Sequence, residues 1–229
     1  DEHWSVQSLV KLLEDPEENV RLAGNFCIVS SLMGLLAEGV ERAGSAITCA
    51  RALPPISGEA DLHRQKLIGR ALFMQGMVGM GVGNMPLTIQ VLRDAIATSR
   101  ATGDKRILGY SLEMYYTATG FIHAPDRDAA ALEGFHIFIE EIEDSFGLGM
   151  AYMMMARLAA EQGNESEKEM YFEKLMEKMR DTPGSYQAAM FHLGMGMNES
   201  GRGNYEAAKR IFEEGCYDSF FSGATSESF

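Results

Sequence analysis

Residues 146–215 read FGLGMAYMMMARLAAEQGNESEKEMYFEKLMEKMRDTPGSYQAAMFHLGMGMNESGRGNYEAAKRIFEEG, and they contain one pattern twice. A run of small and apolar residues reaches a Gly-Asn pair, and a charged segment carrying an aromatic follows. The first copy turns at Gly163-Asn164 and places Phe172 nine residues after the glycine; the second turns at Gly203-Asn204 and places Phe212 at the same distance. The two glycines lie 40 residues apart, the length of one helix-turn-helix unit in several helical repeat architectures.

Each half of the unit has a physical cause. Ala151, Ala156, Ala159 and Ala160 recur at helical spacing among methionines, so a second helix can approach this one closely. Glycine ends the helix because it enters the left-handed region without a side-chain clash. The segment from Glu165 to Arg180 then reads as an amphipathic helix, with Met170, Leu175, Met176 and Met179 expected to face the core and Glu and Lys to face outward.

Outward from this stretch the pattern continues towards the N-terminus. Aligned turns fall at Gly39, Gly83, Pro125, Gly163 and Gly203, spaced by 44, 42, 38 and 40 residues. The unit turning at Gly39 is degenerate, with a first helix from Asn19 through Leu36 and a second from Glu41 to Leu53. The next runs from Leu62 to Gly83-Asn84, then from Leu87 to Arg100, with a loop at Thr102-Gly103-Asp104. The third begins near Arg106 and has Pro125-Asp126 in place of Gly-Asn. Three regions follow: residues 1–18 as an opening helix (His3 to Glu14) belonging to a preceding unit, residues 19–215 as the repeat array, and residues 216–229 as a tail.

Composition narrows the class. Hydrophobic residues make up 46% of the 229, enough for a sizeable core, and no apolar run reaches the roughly 18 residues a membrane helix needs. Strand signals are almost absent, which makes the fold all-α. A formal charge of −13 argues against a nucleic-acid surface, since phosphate binding needs clustered Lys and Arg. Cys27, Cys49 and Cys216 show neither CxxC spacing nor an even count, which points to a reducing, cytoplasmic setting without a structural zinc site. The chain starts at Asp1, which reads as a domain excised from a longer protein.

Laid side by side, these positions resemble the tetratricopeptide repeat. In the last unit Gly196 falls at the small site of the first helix, Gly203 and Tyr205 flank the turn, Ala208 takes the close-packing site of the second helix, and Phe212 follows four residues later. The preceding unit matches at Ala156, Gly163 and Phe172 and departs at Lys168; the unit turning at Gly83 matches at Gly76, Gly83 and Ala95 and departs at Thr88. The tryptophan that opens the family's first helix has no counterpart. Units near 40 residues resemble the long-repeat subclass found in bacterial signal-transduction ATPases similar to the maltose-regulon activator, and in multidomain nucleotide cyclases. The resemblance implies a right-handed superhelical solenoid of about five helix pairs. It also implies a non-catalytic scaffold module of a regulatory or signalling protein that binds a protein or peptide, or alternatively a domain that senses a small-molecule inducer.

Searching for chemistry yields no catalytic constellation. Gly79-Met80-Gly81-Val82-Gly83 follows a helical pattern and lacks the Lys-Ser/Thr of a phosphate loop, so close packing and a turn are the better reading. His3, His63, His123, His136 and His192 are scattered, so no metal ligands are assigned. Glu140, Glu141, Glu143 and Asp144 read as a solvated face. Asn164-Glu165-Ser166 and Asn198-Glu199-Ser200 match the glycosylation sequon, but Asn here serves turns.

Because the first helix of each tetratricopeptide unit lines the concave surface, the resemblance implies a partner-binding strip there. Its expected members are Phe26, Val29, Met33 and Leu36; Phe73, Met77 and Met80; Tyr115, Thr119 and Ile122; Met150, Met153 and Arg157; and Met190, Leu193 and Met197. Unbranched methionines would let such a strip repack around an amphipathic helix. No cofactor, nucleic acid or membrane is expected as a ligand.

Overall fold

The computed structural model describes residues 15–54, 56–120, 122, 124–180, 192, 194–196, 199–200 and 203–217. Among these there is no strand. The helices are α1 Pro16–Leu32, α2 Leu36–Arg51, α3 Glu59–Val82, α4 Met85–Thr102, α5 Lys105–Thr119, α6 Arg127–His136, α7 Ser145–Glu161, α8 Glu165–Arg180 and α9 Tyr205–Tyr217, with a π-helical turn at Ile137–Glu141 after α6. The expected helix at His3 to Glu14 lies outside the described residues. Cys216 and Tyr217, placed in the tail by sequence, belong to α9.

The chain divides into two compact units, Asp1–Ile137 and Phe138–Phe229. In the first, α1 packs on α2 and α3, α3 on α2, α4 and α5, α4 on α5, and α5 on α6. First helices therefore touch first helices, and α2 and α4 each sit between two of them. Ile68, Leu72, Leu92, Leu112, Tyr115 and Tyr116 are among its largest fully buried side chains. In the second unit α7 packs on α8, over a core that includes Ala151, Ala156, Leu158 and Leu175.

The helix ends follow from a repeated local device. Gly103 N–H donates to Arg100 O and Asp104 N–H to Ser99 O, and the same two bonds recur from Gly163 and Asn164 to Ala160 and Ala159, and from Gly203 and Asn204 to Ser200 and Glu199. This is the Schellman arrangement, and each of the three glycines has positive φ. The following residue then opens the next helix: Asp104 accepts from Ile107 N–H at 3.1 Å and Asn164 from Glu167 N–H at 3.3 Å. Asn84, after left-handed Gly83, caps α4 through Leu87 N–H at 3.3 Å.

The first turn is a correction. It lies at Gly34, where Gly34 N–H donates to Ser31 O and Leu35 N–H to Ser30 O at 2.7 Å, and not at Gly39. Gly39 is buried inside α2 and lies against Ser30, so close that a Cβ there would overlap the Ser30 hydroxyl. Its glycine serves a helix crossing. The crossing of α3 and α4 uses the same place with the partners exchanged: a Cβ on Gly79 would stand 2.7 Å from Thr88 Oγ1.

The repeat's matched positions carry matched contacts. Gly76 faces Leu92, with a Cβ there 2.7 Å from Leu92 Cγ, and Gly196 faces the ring of Phe212. Cys27 and Ala43 meet at the corresponding place between α1 and α2, in a buried cluster with Val78. Gly/Leu, Gly/Phe and Cys/Ala thus divide the space at one crossing differently.

The expected core face of α8 holds at Leu175 and is corrected at Met170 and Met176. Tyr171 and Leu175 are buried, whereas Met170 and Met176 are exposed. Tyr171 lies 6.4 Å from the Tyr152 ring on α7, so an aromatic and a leucine one turn apart hold the interface while the methionines face outward.

Candidate partner-binding surface

Of the expected strip, side chains are exposed at the end of α1, Met77 and Met80 are half-buried on α3, and Tyr115 and Thr119 of α5 are buried. On α1, Val29 is 46% and Met33 65% exposed, with Ile28 exposed beside them. Phe26 is half-buried beneath the Arg42 guanidinium, 5.3 Å from its ring centroid. On α3, Met77 and Met80 are half-buried; Met77 packs partly onto the Cys27, Ala43 and Val78 cluster, as does Leu36 from α2. Arg70 Nη2 donates to Asn25 Oδ1 at 3.4 Å, which ties α3 to α1 across this face.

Three expected members are core residues. Phe73 is buried and stacks on Tyr110 of α5 with centroids 5.8 Å apart. Tyr115 is 2% exposed and Thr119 fully buried. Thr119 Oγ1 donates to Tyr115 O at 2.6 Å, and the Tyr115 hydroxyl donates to Asp126 Oδ1 at 2.9 Å while accepting from Arg93 Nη2 at 2.9 Å. For Tyr115 and Thr119 the reason is register: Gly69-Arg70-Ala71-Leu72 and Gly109-Tyr110-Ser111-Leu112 align 40 residues apart and not by the 42 of the expected turns, so Tyr115 corresponds to Gln75, on the side of the second helices, and not to Phe73. Ile122, in the loop after α5, is exposed.

In the second unit Met150, Met153 and Arg157 are half-buried on α7. Gly194 leaves room for the Met153 thioether, where a Cβ would collide with its sulfur, and Arg157 Nε donates to Glu161 Oε1 at 3.0 Å. Met190, Leu193 and Met197 lie outside the described residues.

Sequence reasoning missed a charged cleft of about 320 Å³ lined by α4, α5 and α6 and the segment leading into α6. Its apolar lining is Ile96, Ala97, Leu112, Ala129 and Ala130. Arg93 and Asp126 meet through Tyr115 at one place, and Arg100 Nε donates to Glu133 Oε1 at 3.2 Å at another. Burial pushes the Tyr115 hydroxyl above its ordinary pKa, with the Arg93 hydrogen bond acting against that shift. Nearby, the Arg127 guanidinium lies 4.0 Å from the Tyr116 ring centroid and donates to Tyr116 O at 3.2 Å. The signal was the Tyr115-Tyr116 pair followed by Asp126-Arg127: two aromatics and two charges at equal spacing across the connection that carries Pro125-Asp126 in place of Gly-Asn.

These charges hold helices together. The Arg93–Tyr115–Asp126 contacts pin the long connection before α6, where no Schellman glycine does so. Among the described residues no three His, Cys, Asp or Glu side chains converge as a metal-binding group, and no helix is long and apolar enough to cross a membrane. No family model matches the chain, and no curated protein matches its sequence.

Proposed function

We propose that the chain is a non-catalytic binding module of a larger regulatory protein, built as a tetratricopeptide-like solenoid, with a protein or peptide partner seated on the first helices. The observation that carries this reading is the apolar surface at the end of α1, where Ile28, Val29 and the C-cap residue Met33 stand in solvent, with Met77 and Met80 half-buried on the α3 helix that packs against it. An exposed Met33 contributes nothing to the core, and adjacent apolar residues on packed helices mark a contact surface. An amphipathic helix is the complementary partner, because it offers an apolar stripe of the same spacing.

Affinity capture with the wild-type chain and with Met33→Asp tests this reading. A protein recovered by the wild type and lost from the variant, at unchanged melting temperature, supports it; identical recoveries from the two contradict it. Sensing of a small inducer is the alternative reading, and a single metabolite that raises the melting temperature while no protein is captured would favour it.

A further inference from the structure

A second groove of the first unit lies away from the methionine face. It has a volume of about 710 Å³, within the range of small-molecule sites, and is bounded by α2, α3 and the start of α4. From α2 it takes a stripe at helical spacing that includes Val40, Gly44, Ser45 and Thr48, and from the other side Val82 and Leu87. Gln75 is its buried polar member. On α3, Gln75 and Val82 point to one side, and Met77 lies about 200° around the helix from Gln75.

Gln75 is 5% exposed. Its Nε2 donates to the backbone carbonyl of Val40 at 3.0 Å, which fixes which end of the amide is the nitrogen. Gly44 makes room for it, since a Cβ there would stand 2.7 Å from Nε2. Among the described residues no hydrogen bond reaches the carbonyl oxygen Oε1, although Gln75 lines the groove. A nine-tenths buried amide thus keeps an open acceptor beside an apolar wall. The Glu41 carboxylate on the rim is a second acceptor.

We infer that this groove binds a small molecule with an apolar body and an N–H donor, of the primary-amide or amine class. The apolar part lies on Val40, Val82 and Leu87, and the donor meets Gln75 Oε1. A ligand lacking the donor leaves that oxygen desolvated without a partner, so it is discriminated against. This site stands independently of the partner surface on α1 and α3.

Hexanamide and heptan-2-one test the inference, because they differ only in an NH₂ exchanged for CH₃. In amide-detected NMR titrations of the whole chain, hexanamide shifts the Gly44, Ser45 and Gln75 resonances saturably, and heptan-2-one binds at least about tenfold more weakly. Gln75→Met removes the acceptor and erases that preference. Ser45→Leu, at an exposed position, fills the groove without touching Gln75 and weakens hexanamide about tenfold or more, which covers the case in which Gln75→Met unfolds. Absence of a saturable hexanamide shift, equal binding of the two probes to the wild type, or unchanged binding in Ser45→Leu overturns the inference.

Discussion

Gly39 of α2 lies against Ser30 of α1 so closely that no Cβ fits between them. The α3/α4 crossing exchanges the roles, with Gly79 on the first helix and Thr88 on the second, 2.7 Å from a Cβ at Gly79 to the hydroxyl oxygen. One residue of each pair must be glycine, and which helix supplies it is free. Gly39→Ala should therefore cost about 1–3 kcal/mol by overpacking, and adding Ser30→Gly should return a large part of it. Urea unfolding of the two single variants and the double variant measures this; additive losses would show that the close approach is not the cause.

Leu35 occupies the N-cap of α2 and makes no side-chain cap, whereas Asn84, Asp104 and Asp144 cap the helices that follow them. Leu35→Asp should stabilise the chain by about 0.5–1 kcal/mol, since its carboxylate can accept from the free N–H groups of the first turn. A thermal or urea midpoint that does not rise would mean that the exposed Leu35 side chain makes a compensating contact.

Alkaline pH should loosen the first unit. Burial raises the Cys27 thiol to about 11 and pushes Tyr115 above its usual value, so both are held neutral in the fold. For a group whose folded pKa is raised, the stabilising contribution is complete below the unfolded pKa and disappears as pH climbs through the folded one. Stability should thus begin to fall above the ordinary thiol range and keep falling to about 11, and Cys27→Ala should flatten the thiol part of that fall. Melting temperatures from pH 7 upward check it, and a Cys27→Ala profile superimposable on the wild type would refute the assignment. In a Cys216→Ala background, Cys49 should react rapidly with a thiol reagent at neutral pH and Cys27 only on unfolding.

Tyr115→Phe removes the hydroxyl shared by Arg93 and Asp126. The loss should be about 1–2 kcal/mol, and Tyr115→Phe with Asp126→Asn should cost less than the sum of the two single changes. Strict additivity in that cycle would show that the three side chains do not act together.

How far the fold was legible depended on chemistry at the turns. Where glycine is followed by Asn or Asp, as at Gly83, Gly103, Gly163 and Gly203, the reading located the helix ends, because each signal has a separate physical role in stopping one helix and starting the next. Gly34-Leu35 makes the same backbone turn without the polar cap, and Gly39, which serves a helix crossing, took its place in the reading. Hydrophobicity alone did not separate core from surface. Met33 and Tyr115 were both assigned to the strip, yet one is 65% exposed and the other sits behind two hydrogen-bonded charges from α4 and the loop before α6. That pairing spans 22 residues from Arg93 to Tyr115 and no local pattern announces it.

The proposed docking surface for a protein partner lies at the end of α1. A photo-crosslinking residue placed at Met33, and separately at Val29, tests it directly in cells, with exposed Arg210 on α9 as the control position. One shared crosslinked protein is expected from positions 29 and 33 and none from 210, with melting temperatures unchanged in all three. Crosslinks at 29 and 33 no stronger than at 210 in correctly folded chains would contradict it.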